Sequence, residues 1–373
     1  MNVIYLVTSS TTANIFGVHQ IRALHAKGFQ VHLVCSEGFL VNDLKSITSS
    51  IYQIKYLNRN ISLLSDFRSL LSIVKVFKRI KPKLVIYSTP KISLLSALIG
   101  TFYKTRVRIY QIIGVPWQNM TGFNFYFYRF LDFFTIYLST HVTVVSVSVA
   151  QLYRDKLRTI QFEVFGKGSH IGVNSEIFSP KTNLLAKPSQ QIIGFAGRLT
   201  PEKGLYDLLE LFNRLCTVKP NLELEIIGDL DEIHPVSSSY LTEIKLNPKI
   251  KYHTGMSQLE LAEHMKDWTV QVFLSRREGM GNVIIEAGAC GIPTICWNIV
   301  GVRDAIPPFM HQFLVPYGDM EILEKKTLEI INYPINYFEK QILSSWYLEN
   351  FEQKNLLFNF TNFIDRVMQK KND

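Results

Sequence analysis

Short apolar runs alternate with segments of helical periodicity along almost the whole chain, and that alternation decides what it can fold into. Strand–helix–strand repeats build parallel sheets covered by helices on both faces, which excludes a sandwich, a bundle or a coiled coil. In the first half the pattern predicts strands over 3–7, 31–35, 84–87, 107–112 and 142–147. Helices are predicted over 16–27, closed by Gly28, over 65–79, ended before Pro82, over 93–100 and over 148–156. Between residues 172 and 189 the periodicity lapses, and Ser179-Pro180 and Lys187-Pro188 mark a connection. The second half restarts with strands over 191–196, 222–227, 250–253, 270–274, 293–297 and 312–315. Its helices are predicted over 205–218, 257–268 and 282–289, with a helical tail over 341–368.

The chain has 373 residues, and a single core rarely grows past ~250–300. Two α/β domains are therefore expected, 1–172 and 190–340, with 341–373 packing back toward the first. Open parallel sheets bind ligands outside the carboxyl ends of their strands, so a cleft between the domains is the expected site.

Composition excludes several classes. With 47% hydrophobic and 19% charged residues the chain is not disordered. Its four cysteines form no CxxC pair and its nine histidines no ligand spacing, so the reading is buried thiols in a reducing compartment, no bound metal and no resident cofactor. The start lacks the basic region of a signal peptide. The uncharged stretch 133–153 is interrupted by Thr135, Ser139, Thr140, His141, Thr143, Ser146 and Ser148, and is expected to be a helix end followed by a strand rather than a membrane span.

Charge is unevenly spread. Residues 1–170 hold 20 Lys+Arg against 6 Asp+Glu, a balance of +14, whereas the remainder carries −5 of the total +9. A basic half suits a polyanionic partner. Within it, 102–137 interleaves Lys104, Arg106, Arg108 and Arg129 with Trp117, Phe123, Phe125, Tyr126, Phe127, Tyr128, Phe130, Phe133 and Phe134. Aromatics flanked by cations suit an anionic membrane interface. No nucleic-acid motif accompanies them, so no nucleic-acid partner is expected.

Two segments of the second half carry chemistry. The first, GFAGRLTPEKG (194–204), leaves a strand and opens a helix. Thr200 is placed as N-cap with Pro201 after it, and Arg198 and Lys203 can both reach a diphosphate. The second, LSRREGMGNVIIEAGACGIPTICWN (274–298), runs strand, glycine-containing loop, helix, strand. Gly279 and Gly281 permit close backbone approach to a ligand, Asn282 is expected to cap the helix, and its first amides would face an anion. Glu278 and Glu286 are carboxylates able to accept hydrogen bonds from sugar hydroxyls. Asp229-Leu230-Asp231 spells a DxD metal motif, but it follows a strand and Gly228 and reads better as a turn.

Together these segments resemble the donor half of the GT-B glycosyltransferases, family 4: a strand–Gly–Arg–x4–Lys followed by Glu–x7–Glu, with GACGIPTICWNIVGVRDAI (288–306) continuing the likeness. In the first half RNISLLSDFRSL (59–70), KPKLVIYSTPKISLL (81–95) and VFGKGSHIGVNSEIF (164–178) are similar to the branch that builds bacterial capsule, O-antigen and related lipid-linked glycans. The resemblance implies an α/β, GT-B architecture with two Rossmann-like domains facing across a cleft. It implies retaining, metal-independent transfer of a hexose or N-acetylhexosamine from a nucleotide sugar, with UDP the favoured nucleotide, to a lipid-diphosphate-linked acceptor. By the same analogy Arg198 and Lys203 hold the diphosphate and Glu286 takes the ribose. Glu278 faces the transferred sugar, and the backbone of Gly279, Met280, Gly281, Asn282 and Val283 surrounds sugar and phosphates. Arg59 and Lys91 are candidate contacts for acceptor phosphate. The implied place is the cytoplasm, peripheral on the inner face of the cell membrane.

The chain departs from that pattern in two places. Ile113-Gly114-Val115-Pro116 has Ile where many relatives carry His, and Ser9, Ser10, Thr11 and Thr12 precede only Gly17 where a glycine-rich loop is usual. Alternatives are a nucleotide-sugar epimerase or phosphorylase-like enzyme of the same fold, and an inactive nucleotide-sugar-binding protein.

Overall fold

The computed structural model describes residues 1–38, 44–57, 62–181, 190–231 and 234–369. Arg59 and the later part of the expected interdomain connection, 182–189, lie outside them. The chain divides into two compact units, Met1–Ile171 with Lys354–Asp373, and Gly172–Gln353.

In the first unit the described elements run β1 (Asn2–Leu6), α1 (Ser10–Thr12), a π-turn (Ala13–Gly17), α2 (Val18–Ala26), β2 (Gln30–Ser36), β3 (Ser50–Ile54), α3 (Leu63–Ile80), β4 (Leu84–Ser88), α4 (Pro90–Phe102), β5 (Val107–Ile112), α5 (Gly122–Leu138), β6 (His141–Val144), α6 (Val147–Arg154) and β7 (Phe162–Glu163). Every strand pair is parallel, in the order β3-β2-β1-β4-β5-β6-β7. β1 and β4, at the centre, are buried almost throughout, as a strand covered on both faces must be. The stretch 133–153 is divided among the end of α5, β6 and α6, and no helix among the described residues is long and apolar enough to cross a membrane.

α5 is pinned by a buried carboxylate. Asp132 accepts from the Tyr110 hydroxyl at 2.8 Å, from Trp117 Nε1 at 2.9 Å and from the Tyr153 hydroxyl. Burial pushes its carboxyl above the usual range, and these three donors pull it back. With Asp132, Thr135 and Ile136 turned inward, Phe123, Tyr126, Phe130 and Tyr137 lie on the outer face, 64–80% exposed. Two of the basic residues expected on that surface serve the fold instead. The Arg108 guanidinium donates to Leu138 O and Thr105 O, and Arg129 lies 5.0–5.8 Å over the rings of Trp117, Phe125 and Phe133. Lys104 and Arg106 are exposed.

The second unit holds β8 (Ile192–Ala196), α7 (Leu205–Val218), β9 (Glu223–Ile227), α8 (Ser238–Leu246), β10 (Ile250–His253), α9 (Gln258–Met265), β11 (Val270–Phe273), α10 (Asn282–Ala289), β12 (Thr294–Trp297), β13 (Leu314–Val315), α11 (Met320–Asn332) and α12 (Tyr337–Phe351). Its sheet is again all parallel, ordered β10-β9-β8-β11-β12-β13. The helical tail is two helices rather than one. α12 packs on α10 within this unit, so close that a Cβ on Gly288 would lie 2.0 Å from the Tyr347 ring. Glu352, with extended ψ, breaks the helix. There the Val173 and Gln353 N–H groups bond to Phe351 O and Val173 O, both at 2.9 Å, tying the entry and exit of the unit together. α13 (Gln353–Gln369) then returns to the first unit, where Phe360, Phe363, Ile364 and Val367 join a core containing Val3, Tyr5, Leu33 and Ile86. Each such buried side chain contributes about 1.5–3 kcal/mol.

Candidate active site

In the second sheet the order of connection reverses between β8 and β11, so the loops leaving their carboxyl ends emerge side by side at a topological switch point. The two motif segments are those loops. After β8, Thr200 Oγ1 accepts from Lys203 N at 3.3 Å and caps a 3₁₀ turn over Pro201–Lys203, as the sequence predicts. Gly204 follows with φ +76°, and a Cβ there would stand 2.1 Å from the carbonyl oxygen of Leu274, just beyond β11. The loops therefore touch backbone to backbone, and further bonds clamp them. Arg276 N donates to Glu202 O at 2.9 Å, and the Ser275 hydroxyl to the same oxygen at 3.3 Å.

This clamp delivers the Lys203 ammonium to Glu278 Oε1 at 2.5 Å, with both side chains largely shielded. A third loop, after β12, closes over the second. Gly301, at φ +88°, lies so near that a Cβ would sit 2.5 Å from Glu278 O and 2.7 Å from Gly279 O. Sequence reasoning gave Gly301 no role, although it lies within the GVRDAI run that continues the motif. A Gly204→Ala substitution must open the junction and strain a left-handed backbone position, an expected loss of about 2–4 kcal/mol. The expected outcome is a Tm lower by roughly 5–15 °C, checked by calorimetry; an unchanged Tm would contradict the backbone contact.

The helix start differs from expectation. Gly281, not Asn282, is the N-cap, with no side-chain cap bond, and Asn282 is the first helical residue. The Asn282 and Ile284 N–H groups bond back to Met280 O and Gly281 O at 3.1 and 3.0 Å, so α10 offers fewer open amides than the sequence suggests. Gly279, Met280 and Gly281 are buried, and Val283 is half-buried. Glu286, one turn into α10, is 7% exposed, and burial pushes its carboxyl up to about 8.

Arg198 reaches outward, half-exposed, and pairs with Asp231, whose side chain is 7% exposed. Asp231 Oδ1 also accepts from His234 N at 2.9 Å, and Asp229 Oδ1 accepts from Gly255 N at 3.0 Å. Both aspartates of the DxD thus hold loops at the ends of β9 and β10, and one orients the motif arginine.

The first sheet has its own switch point, between β1 and β4. Thr8 N and Thr8 Oγ1 lie 3.1 and 2.7 Å from Thr89 Oγ1. Thr89 adopts φ +76°, ψ +131° directly before Pro90, a strained conformation for a β-branched residue. Lys91, in the first turn of α4, pairs with Asp66 of α3 and is mostly buried rather than presented to solvent.

Two all-parallel, doubly wound units, each with loops gathered at a switch point, constitute the GT-B architecture. The family model described as "Glycosyl transferases group 1" matches residues 179–341, and that described as "Glycosyl transferase 4-like" matches residues 3–145. The chain belongs to this family, the GT-B glycosyltransferases of family 4. It is 27% identical, over 84% of its length and 83% of the relative's, to the capsular polysaccharide biosynthesis glycosyltransferase CapM of Staphylococcus aureus. It is 22% identical, over 82% and 80%, to the UDP-Gal:alpha-D-GlcNAc-diphosphoundecaprenol alpha-1,3-galactosyltransferase of Escherichia coli. Among solved structures, a sucrose-phosphate synthase of Thermosynechococcus elongatus superposes with a TM-score of 0.79 at 18% identity, covering 99% of both chains. HepE of Anabaena in complex with UDP-glucose gives 0.74 at 14%, covering 98% and 100%.

Proposed function

We propose that this glycosyltransferase moves a hexose or N-acetylhexosamine, with retention, from a UDP-sugar to a lipid-diphosphate-linked glycan in bacterial capsule or O-antigen synthesis. The observation that carries the reading is the Lys203–Glu278 pair, held by backbone contact between the two switch-point loops. On this reading the donor diphosphate takes Lys203 and Arg198 from their carboxylate partners, and Glu278 is released to face the sugar. Glu286 accepts from the ribose. As the C1–O bond to the diphosphate breaks, the acceptor oxygen attacks from the same face, and a donor phosphate oxygen takes its proton. The names of the capsule and diphosphoundecaprenol relatives support the acceptor class. Lys91 stands beside the strained Thr89 as a candidate acceptor contact once drawn from Asp66, and Arg59 is a second.

The reading is tested by incubating a panel of nucleotide sugars with membrane lipid extract and identifying the sugar-lipid and diphosphate formed. Release of UDP with a lengthened lipid-linked glycan is expected. Turnover of the nucleotide sugar without an acceptor would favour an epimerase, and no turnover at all a binding protein. Since two cations serve the diphosphate, transfer is expected to persist in excess EDTA. Abolition by EDTA with recovery on adding manganese would overturn that assignment and promote the DxD.

The outer face of α5 suits a peripheral seat on an anionic leaflet at the cytoplasmic face, where the lipid acceptor resides. Exposed Phe123, Tyr126, Phe130 and Tyr137 would insert shallowly, and nearby basic residues such as Lys104 and Arg106 add about 1 kcal/mol each. Sedimentation with phosphatidylglycerol vesicles at low salt is expected to be strong and to fall as salt rises. A Phe123→Ser/Phe130→Ser double variant is expected to lose most binding while keeping its fold. Equal solubility with and without vesicles would refute the seat.

A further inference from the structure

Glu225 is an acid in the middle of β9, a strand whose neighbours Leu224, Ile226 and Ile227 are all buried, and it is itself 5% exposed. A carboxylate in such a place needs strong partners. One oxygen, Oε2, accepts from Trp268 Nε1 at 2.6 Å. The other, Oε1, meets two imidazoles at once: His264 Nδ1, in the last turn of α9, at 2.9 Å, and His253 Nε2, at the end of edge strand β10, at 3.2 Å. The two rings lie 4.9 Å apart, and the three ligand atoms are all within 4.8 Å of one another.

We propose that Glu225, His253 and His264 form a zinc site. Zinc bonds of ~2.0–2.2 Å to nitrogen and oxygen place tetrahedral ligands about 3.3 Å apart. The two glutamate–histidine separations, 2.9 and 3.2 Å, are already close to that, and the two histidine nitrogens, within 4.8 Å of each other, would close on a bound ion. The three residues stand on two strands and a helix, so the backbone holds them in place. Trp268 supplies the outer bond that orients the carboxylate. Both histidine side chains are about one-third exposed, while the His253 Nε2 atom that faces Glu225 is itself buried with no hydrogen-bond partner. Of the neighbouring charges, the Lys251 amine is drawn off to Glu223 at 2.7 Å, and Glu260, beside His264, caps Ser257. Two imidazoles and a carboxylate suit zinc rather than magnesium or calcium, which favour all-oxygen sets. The site shares no residue with the donor loops, so its role is a staple that ties β10 and α9 to β9.

The test uses the full chain, free of any histidine tag and stripped with EDTA, titrated with zinc chloride by calorimetry and with cobalt(II) by visible absorption. The expectation is one equivalent bound in the micromolar range or tighter, a raised Tm, and the intense bands of four- or five-coordinate cobalt. His253→Gln and His264→Gln, at half-exposed positions, are each expected to weaken binding at least tenfold. Weakly absorbing octahedral cobalt in the unsubstituted protein would overturn the proposal, without depending on how any variant folds. So would zinc binding that is unchanged in a His253→Gln/His264→Gln double variant. Zinc removal is expected to lower Tm while transfer continues below it, so failure here leaves the glycosyltransferase reading standing.

Discussion

Lys203→Ala is expected to lower kcat by roughly 10²–10³-fold, about 2.7–4 kcal/mol of barrier, with a smaller change in KM. Negative charge grows on the departing diphosphate as the glycosidic bond breaks, so a cation at that oxygen stabilises the transition state more than the bound donor. Lys203 is well placed for this because the Gly204–Leu274 contact fixes its backbone and Glu278 holds its amine. Arg198→Ala is expected to follow the same pattern more weakly, since Arg198 is half-exposed and solvent screens it. Steady-state kinetics on one donor checks both. An unchanged kcat in both variants would remove the two cations from the chemistry.

The second large effect is a pH dependence set by Glu286. Its folded-state carboxyl titrates at about 8, against 4.5 when exposed. Below pH 4.5 the group is neutral in both states and burial is tolerated. As pH rises toward 8 the unfolded chain loses its proton and the folded one does not, so stability falls, by an amount on the order of a few kcal/mol above pH 8. Glu286→Gln cannot ionise. It is therefore expected to match the parent near pH 5 and to exceed it in Tm at pH 8.5. Parallel Tm curves from pH 5 to 9 would show that burial does not perturb this carboxyl. The same shift bears on the donor. If ribose hydroxyls donate to Glu286, binding selects the ionised form and expels a proton, so donor affinity is expected to rise by up to about tenfold per pH unit between 6.5 and 8. Calorimetry in buffers of different ionisation enthalpy reads that proton directly. Glu286→Ala is expected to weaken donor binding chiefly through KM.

The strands of both sheets were legible because buried parallel strands leave continuous apolar runs, such as VIYL and LVIY. SIYQI of β3, half-exposed at a sheet edge, and the two-residue β7 carry no such run and were missed. α5 was hidden because aromatic residues occur all round it, which conceals the helical period until Asp132 shows which face is inside. The candidates Arg198, Lys203 and Glu278 in loops and Glu286 in α10 stand out by their spacing along the chain. Their partners do not. Asp231 approaches Arg198, and Gly301 approaches Glu278, only because separate strands end at the same edge of the sheet. The same limit hid Glu225, His253 and His264, whose intervals match no local motif because β9, β10 and α9 meet by tertiary packing alone.

α13 imposes an order of events on synthesis. The core that begins with Val3 and Tyr5 is completed by Phe360, Phe363, Ile364 and Val367, and the whole of Gly172–Gln353 is translated in between. At ~5–20 residues per second a ribosome needs roughly ten to forty seconds for that interval. Throughout it the nascent first unit keeps an uncovered apolar groove, while the second unit, contiguous in sequence, has all it needs to close. The later unit is thus expected to reach its native state first, with the earlier one held in a state that chaperones would recognise until the chain comes back to it.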